Sequence, residues 1–407
     1  MEVGAIGKLI CKGERKKEKD HAELKRASYF LISHFSFLIV KEKEKEKGER
    51  PCGTYARQQL SHFSFLISHF PPMFIKENYS LLPHNTFGID AKCKRFVEYS
   101  SEAELQEFLR SRDAEESLLH IGEGSNLVFT KDFDGSILHS AIKGKQAFAG
   151  PDMVMLIVGA GENWDDLVAW CVKQGYHGLE NLSLIPGEVG AAAVQNIGAY
   201  GVEIADFVAN VEAINLETGV HEFFSDSACK YGYRESVFKK EGKGAYAITR
   251  VHLRLSRTFT PQCTYGTIEQ ELAQRGISTP TASELRQVII DIRKNKLPDP
   301  KEIGSAGSFF MNPVISNEEF ERLKATYPDI PNYPQAEGVK IPAGWLIEQC
   351  GWKGKSLGRA GVYEKQALVL VNRGGATGIE VATLANTIVA DVRKKFGVTI
   401  TPEANII

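Results

Sequence analysis

GLENLSLIPGEVGAAAVQNIGAYGVE, running from Gly178 to Glu203, is the stretch on which the reading of this chain turns. It carries five glycines, the run Ala191-Ala192-Ala193, and the amides Gln195 and Asn196 just before Gly198-Ala199-Tyr200-Gly201. A core strand or helix would be built from bulkier residues, and a surface loop would carry more charge. Small residues let backbone approach a flat or anionic ligand, with N–H groups as the binding atoms. The segment reads as a cofactor clasp.

The bulk composition sets the frame around it. At 407 residues the chain is long enough for two or three domains with substantial cores. Its 43% hydrophobic and 25% charged residues are those of an ordinary globular protein. A formal charge of −2 gives no general argument for nucleic-acid binding. The seven cysteines are scattered, with no CxxC or other metal-ligand spacing, so no metal is expected and reduced thiols in a cytoplasm fit best. No run approaches the ~20 apolar residues that span a bilayer.

Residues 1–72 differ from the rest. They contain the alternation Lys41-Glu42-Lys43-Glu44-Lys45-Glu46-Lys47 and a direct repeat, SHFSFLI, at Ser33–Ile39 and Ser61–Ile67. Fourteen Lys and Arg against nine Asp and Glu make this part +5, leaving about −7 for the remainder. A signal peptide fits poorly, because charge flanks both sides of short apolar blocks. A basic, Phe- and Leu-bearing membrane-surface arm is a second reading. The third is translated upstream DNA, with Met73 as the natural start and 1–72 lacking a packed core.

From Met73 onward, short β-rich runs alternate with helical patterns. Strands are expected at 117–121, 153–158 and 246–255, and helices at 103–112, 164–174, 282–294, 317–327 and 379–396. The polar stretch after Leu255 places a domain boundary near 258–265, dividing the chain into 73–260 and 261–407.

Gly122-Glu123-Gly124-Ser125-Asn126 lies between the apolar runs LLHI and LVFT. Glycines there allow positive φ and a concave row of N–H donors suited to a pyrophosphate, although a plain hairpin turn is an equal reading. Neither GEGSNL nor GAGENW completes G-x-G-x-x-G, which excludes a Rossmann fingerprint. Arg234 alone reads as a surface cation. Ser308, between Gly307 and Phe309-Phe310, reads equally as a hydroxyl in a close-packed, partly dry place or as a structural serine capping a turn. No GxSxG elbow surrounds it, so a hydrolase nucleophile is disfavoured. Glu403, four residues from the C-terminus, is by composition a solvated glutamate.

Together these pieces resemble one family, the UDP-N-acetylenolpyruvoylglucosamine reductases of peptidoglycan synthesis, in their longer, type I form. The matching residues include NTFGID (85–90), GEGSN (122–126), GAGENW (159–164), GYRESVFK (232–239), TYG (264–266), KLPDPK (296–301), AGSFFMNP (306–313), AGWLIEQCGWKG (343–354), QALVLVN (366–372) and the final Pro402-Glu403. The resemblance covers essentially all of 80–407.

It implies an α+β fold, with vanillyl-alcohol-oxidase-like FAD-binding domains and a C-terminal α+β substrate-binding domain. It also implies non-covalent FAD and NADPH as reductant, and the chain is expected to be a monomer. The substrate would be UDP-N-acetylenolpyruvoylglucosamine, taking hydride from flavin N5 at C3 and a proton at C2 to give UDP-N-acetylmuramate. By resemblance Ser308 is the proton donor, while Arg234 and Glu403 polarise the substrate carboxylate. The cofactor contacts implied are Gly122, Glu123, Gly124, Ser125, Asn126, Leu127, Gly187, Gln195, Asn196, Ile197, Gly198, Ala199 and Tyr200. Tyr265, Arg293, Lys296, Asn312, Tyr333, Lys353 and Gln366 resemble positions that hold the UDP portion, with Arg293 and Lys296 aimed from one helix end at one anion. Two departures stand out. Ala191-Ala192-Ala193 replaces the Ser-Ser-Pro of some relatives, so flavin contacts there must be backbone ones, and Met311 replaces a lysine. A flavin oxidase of the same fold and a non-catalytic flavin-binding protein are the alternatives.

Overall fold

The computed structural model describes residues 73–407, and the expectations for 1–72 lie outside the described residues. Two sheets carry the first half. The first is four-stranded, in the order Phe74–Ser80, Lys92–Tyr99, Phe133–Ser140, Leu118–Ile121. Its outer pair is antiparallel and the rest parallel, with Phe96 opposite Ile137 and Leu119 opposite the same residue. The second is five-stranded and antiparallel, in the order His221–Ser225, Val208–Asn215, Tyr246–Ser256, Met153–Gly159, Lys145–Ala149. Alternation makes it: Val154, Leu156 and Val158 point to a core while Met153, Met155 and Ile157 do not.

Helix Trp164–Gln174 covers that sheet, and its ends are written in the sequence. Asn163 caps it by accepting from the Asp166 N–H, and Gly175 ends it at φ +70°. It buries Trp164, Leu167, Val168 and Cys171 against Leu156, Val158, Val251 and Leu253. Each such side chain contributes roughly 1.5–3 kcal/mol of burial.

Within Gly178–Glu203 the expectation that a helix would need bulkier residues requires correction. Val189–Gln195 is an α-helix, because Ala191-Ala192-Ala193 are the best helix formers and Gly190 packs directly on Ala160. Asn196 stops it in the left-handed region at φ +44°.

The C-terminal third adds an antiparallel sheet, Ser305–Ser308, Val369–Asn372, Ala360–Val362, Ser356–Leu357, backed by helix Gly378–Phe396. One apolar core, including Phe87, Phe129, Phe309 and Leu346, draws on both this sheet and the first one. A smaller core between helices Ile268–Gln274 and Ala282–Lys296 holds Ile268, Leu285 and Ile289. The chain ends where the cavity begins. Asn405–Ile406 pairs in parallel with Leu127–Val128, and Asn405 N–H donates to the Asn126 carbonyl at 3.0 Å. Among the described residues, no helix is long and apolar enough to cross a membrane.

A buried charge cluster lies on the five-stranded sheet. Glu212 is bonded by His252 at 2.6 Å and Arg250 at 3.1 Å. Burial alone would raise its carboxyl, but these partners overrule it and hold it down to about 2. A depressed folded value means stability present above the ordinary carboxylate range and lost as pH falls toward 2. The contribution is on the order of 2 kcal/mol, allowing for screening of the partly exposed Arg250. Urea midpoints from pH 5 to pH 2 should therefore fall more steeply for the wild type than for Glu212→Gln.

Candidate active site

A cavity of about 310 Å³ opens between the two halves of the fold. Its size lies at the lower end of ordinary small-molecule sites. One wall is the 122–127 loop together with Ile185–Gly187 and the cavity side of helix Val189–Gln195. The other is Arg234, Ala306–Ser308, Phe310 and Glu403.

The glycine wall is shaped by close approach. Gly124 has φ +71°, and a Cβ there would stand 1.8 Å from the His84 carbonyl oxygen. A Cβ on Gly122 would press on Ala191 at 3.1 Å. Ser125 Oγ donates to the Pro186 carbonyl at 3.2 Å, and Asn126 Nδ2 donates to the Glu403 carbonyl at 3.2 Å. Both side chains are thus spent on holding the loop. Among the described residues, none of the five N–H groups of 122–126 donates to a protein acceptor. Five free donors on one curved segment suit an anion such as a pyrophosphate. The hairpin alternative is excluded, since the flanking strands pair with Phe133–Ser140 and Asn405–Ile406 and not with each other. Gly124→Ala should destabilise the protein by about 2–4 kcal/mol through clash and left-handed strain, read as a lower urea midpoint.

Arg234 sits in a tight turn closed by reciprocal bonds between Gly232 and Glu235, and it takes φ +59°. That conformation costs a non-glycine residue roughly 1–2 kcal/mol. The strain aims the guanidinium. Its Nη2 donates to the Gly198 carbonyl at 2.6 Å, its Nη1 to Asn196 at 3.2 Å, and its Nε meets Glu403 Oε1 at 3.1 Å. Both side chains of the ion pair are only 17% exposed. Burial raises the Glu403 carboxyl above the usual carboxylate range, although Arg234 and Lys239 oppose it. Ser308 is brought alongside by the bridge between Phe310 and Pro402 and by the Glu403 N–H bond to the Phe309 carbonyl at 2.8 Å. The expectation that Ser308 is close-packed is wrong. The residue is exposed on the cavity wall at the end of strand Ser305–Ser308, while Phe309 and Phe310, just past the strand, fill the core behind it.

The remaining expected positions divide. Gly187, Gln195, Ile197, Gly198, Arg293 and Asn312 line the cavity with the loop. Asn196 is fully buried, its amide holding Glu203 at 2.7 Å and the Gly232 carbonyl at 2.8 Å. Ala199 and Tyr200 stand outside the lining, with the Arg293 cation acting on the Tyr200 hydroxyl. The shared aim expected for Arg293 and Lys296 does not occur, since Arg293 turns into the cavity while Lys296 is exposed at the helix end. Tyr265 and Tyr333 are electrostatic neighbours, both exposed beside the cavity mouth. Lys353 pairs with Glu348 at 2.9 Å, and Gln366 accepts from the Leu368 N–H at 3.3 Å. Neither reaches the cavity wall.

Three cavity neighbours escaped the sequence reading. Tyr233 lies under both the Arg234 and Lys340 cations, each 5.2 Å from its ring. Glu188 lines the cavity and bonds His139 at 3.1 Å, with burial raising its carboxyl. Lys239 bonds Gln195 and the Arg234 backbone. The available signal for Tyr233 and Lys239 was their place inside GYRESVFK. Among the described residues, Glu102, Glu212 and His221 bring potential metal-ligating atoms within 4.8 Å of one another. Arg250 already bonds both glutamates, so a cation occupies that trio.

Comparison with known proteins gives a consistent picture. The C-terminal domain of UDP-N-acetylenolpyruvoylglucosamine reductase matches residues 299–407, and an FAD binding domain matches residues 93–223. The UDP-N-acetylenolpyruvoylglucosamine reductase of Bacteroides fragilis is 52% identical over 336 residues, spanning 82% of this chain and 100% of that protein. That of Porphyromonas gingivalis is 48% identical over 338 residues, with the same two coverages. Among solved structures, the reductase of Thermus caldophilus has a TM-score of 0.57 at 23% identity, covering 82% of this chain and 99% of that one, a likeness of fold. The expected α+β architecture, with an FAD-binding portion followed by the family's C-terminal domain, is borne out.

Proposed function

The chain belongs to the UDP-N-acetylenolpyruvoylglucosamine reductase family, and from that membership we propose that it reduces UDP-N-acetylenolpyruvoylglucosamine to UDP-N-acetylmuramate with FAD and NADPH. The single observation that carries the reading is the Arg234–Glu403 pair on the same cavity wall as Ser308. The 122–126 amides and the small residues of helix Val189–Gln195 fit a flavin dinucleotide, whose pyrophosphate needs donors and whose ring needs flat, side-chain-poor walls. When bound, the flavin supplies the hydride, drawn from NADPH and delivered to substrate C3.

The protein's own residues do the rest. Hydride addition to an enol ether conjugated with a carboxylate builds negative charge on that carboxylate. Arg234 is fixed in advance by two carbonyls, so no reorganisation is needed as the charge grows. Glu403, held at 3.1 Å from the guanidinium with burial raising its carboxyl, is placed to face the same oxygens from a second side. Ser308 Oγ holds the proton destined for C2. A hydroxyl is a very weak acid, and it serves because the enolate is strongly basic and the geometry is fixed.

Arg293 and Asn312 on the wall, with Tyr265 and Tyr333 at the mouth, are the proposed UDP-holding group nearest the cavity. Lys296, Lys353 and Gln366 would have to move to join them. The flavin portion is assigned to 73–260 and the substrate portion to 261–407, in a cytoplasmic monomer. Mass spectrometry of product made in deuterated water tests the reaction. Solvent deuterium at C2 is expected, with deuterium at C3 only to the extent that the flavin N5–H exchanges with solvent before transfer, and a product without deuterium at C2 would refute the assignment.

A further inference from the structure

Lys239 lies five residues beyond Arg234, and the chemistry above has no use for it. Its Nζ donates to Gln195 Oε1 at 2.9 Å and to the Arg234 carbonyl at 3.0 Å. Gln195 lines the cavity, and Arg234 is the residue held at φ +59°. An ammonium has only donors, so the oxygen of the Gln195 amide must face it. The amide N–H₂ is then the end left for the cavity. A positive charge one hydrogen bond behind also polarises those N–H groups and strengthens them as donors. Through its second bond, the same ammonium steadies the peptide unit from which the Arg234 guanidinium reaches Glu403.

We propose that Lys239 is a positioning residue, which fixes the Gln195 amide with its N–H₂ toward the flavin and holds the Arg234 turn in its working conformation. This rests on the flavin-dependent reading above. A second stitch crosses the same turn without touching the amide: Ser236 Oγ donates to the Val194 carbonyl at 2.7 Å. It separates positioning from plain structural support. Lys239 also faces Glu403 and Arg234, which pull on its charge in opposite directions, while burial lowers its pKa.

The test uses the FAD-loaded protein and four variants, Lys239→Met, Lys239→Arg, Ser236→Ala and Gln195→Met. Flavin midpoint potential is read by spectroelectrochemistry, and the two half-reactions by stopped flow. Lys239→Met is expected to lower the potential, since a polarised donor favours reduced, anionic flavin, and to slow reoxidation by the enolpyruvyl sugar about tenfold or more. Lys239→Arg should recover most of both. Ser236→Ala should stay within about twofold of wild type. If Lys239→Met does not retain flavin, Gln195→Met decides, because it removes the amide and spares the lysine, and it should lower the potential in the same direction. A wild-type potential in both Lys239→Met and Gln195→Met, or an equal shift in Ser236→Ala, would overturn the proposal. A wild-type protein that the sugar cannot reoxidise at all would instead refute the functional reading beneath it.

Discussion

Ser308→Ala is expected to slow reoxidation of the reduced protein by the enolpyruvyl sugar by about 10²- to 10⁴-fold, the usual worth of a positioned general acid. Reduction by NADPH should stay near the wild-type rate. The separation follows from where the hydroxyl stands. Ser308 is exposed on the cavity wall, so losing Oγ opens no void in the Phe309–Phe310 core behind it. Among the described residues, its hydroxyl bonds no other part of the structure, unlike those of Ser125 and Ser236. The substitution therefore removes a proton and little else. Stopped-flow traces of the two half-reactions provide the check, and an equal fall in both would mean that Ser308 supports the site as a whole.

Arg234→Met should be the more damaging change. The guanidinium meets Glu403 on the cavity wall at 3.1 Å, and losing a preorganised charge partner of this kind costs about 10²- to 10³-fold in turnover. Two further losses accompany it. The Gly198 and Asn196 carbonyls lose their donors, and Glu403 keeps burial without its nearest counter-charge, so its carboxyl rises further. Arg234→Lys is not expected to rescue. An ammonium cannot serve two carbonyls and a carboxylate in the planar fork that this geometry requires. Product formation under saturating substrate, beside flavin content, separates lost chemistry from lost cofactor. An Arg234→Met protein with more than a tenth of wild-type turnover would remove Arg234 from the reaction.

How much of this was legible in the sequence depended on how local its cause was. Helix Trp164–Gln174 was readable to the residue, because Asn163 and Gly175 are adjacent signals that need no tertiary partner. The helix inside Gly178–Glu203 was not, because its glycines drew attention from the alanine run that makes it helical. The exposure of Ser308 was hidden for another reason: two phenylalanines beside it suggested a closed environment, but they are buried in the core past the strand end while the serine faces the cavity. Glu403 is the extreme case. Nothing near it in sequence buries a glutamate four residues from a chain end. Its position comes from Asn126 and Phe309, and the first of these is 277 residues away. Only resemblance to a family could nominate it. Lys239 shows the converse, a residue inside a quoted motif whose contacts emerge only once the Arg234 turn is folded.

The central claim is that one cavity takes reducing equivalents from NADPH and gives them to an enolpyruvyl sugar. Anaerobic absorbance of the FAD-loaded protein tests it most directly. The yellow colour should bleach on adding NADPH, persist, and return within turnover times when UDP-N-acetylenolpyruvoylglucosamine is added. Colour that returns rapidly on admitting air without the sugar, and fails to return with the sugar under nitrogen, would contradict the account and indicate an oxidase.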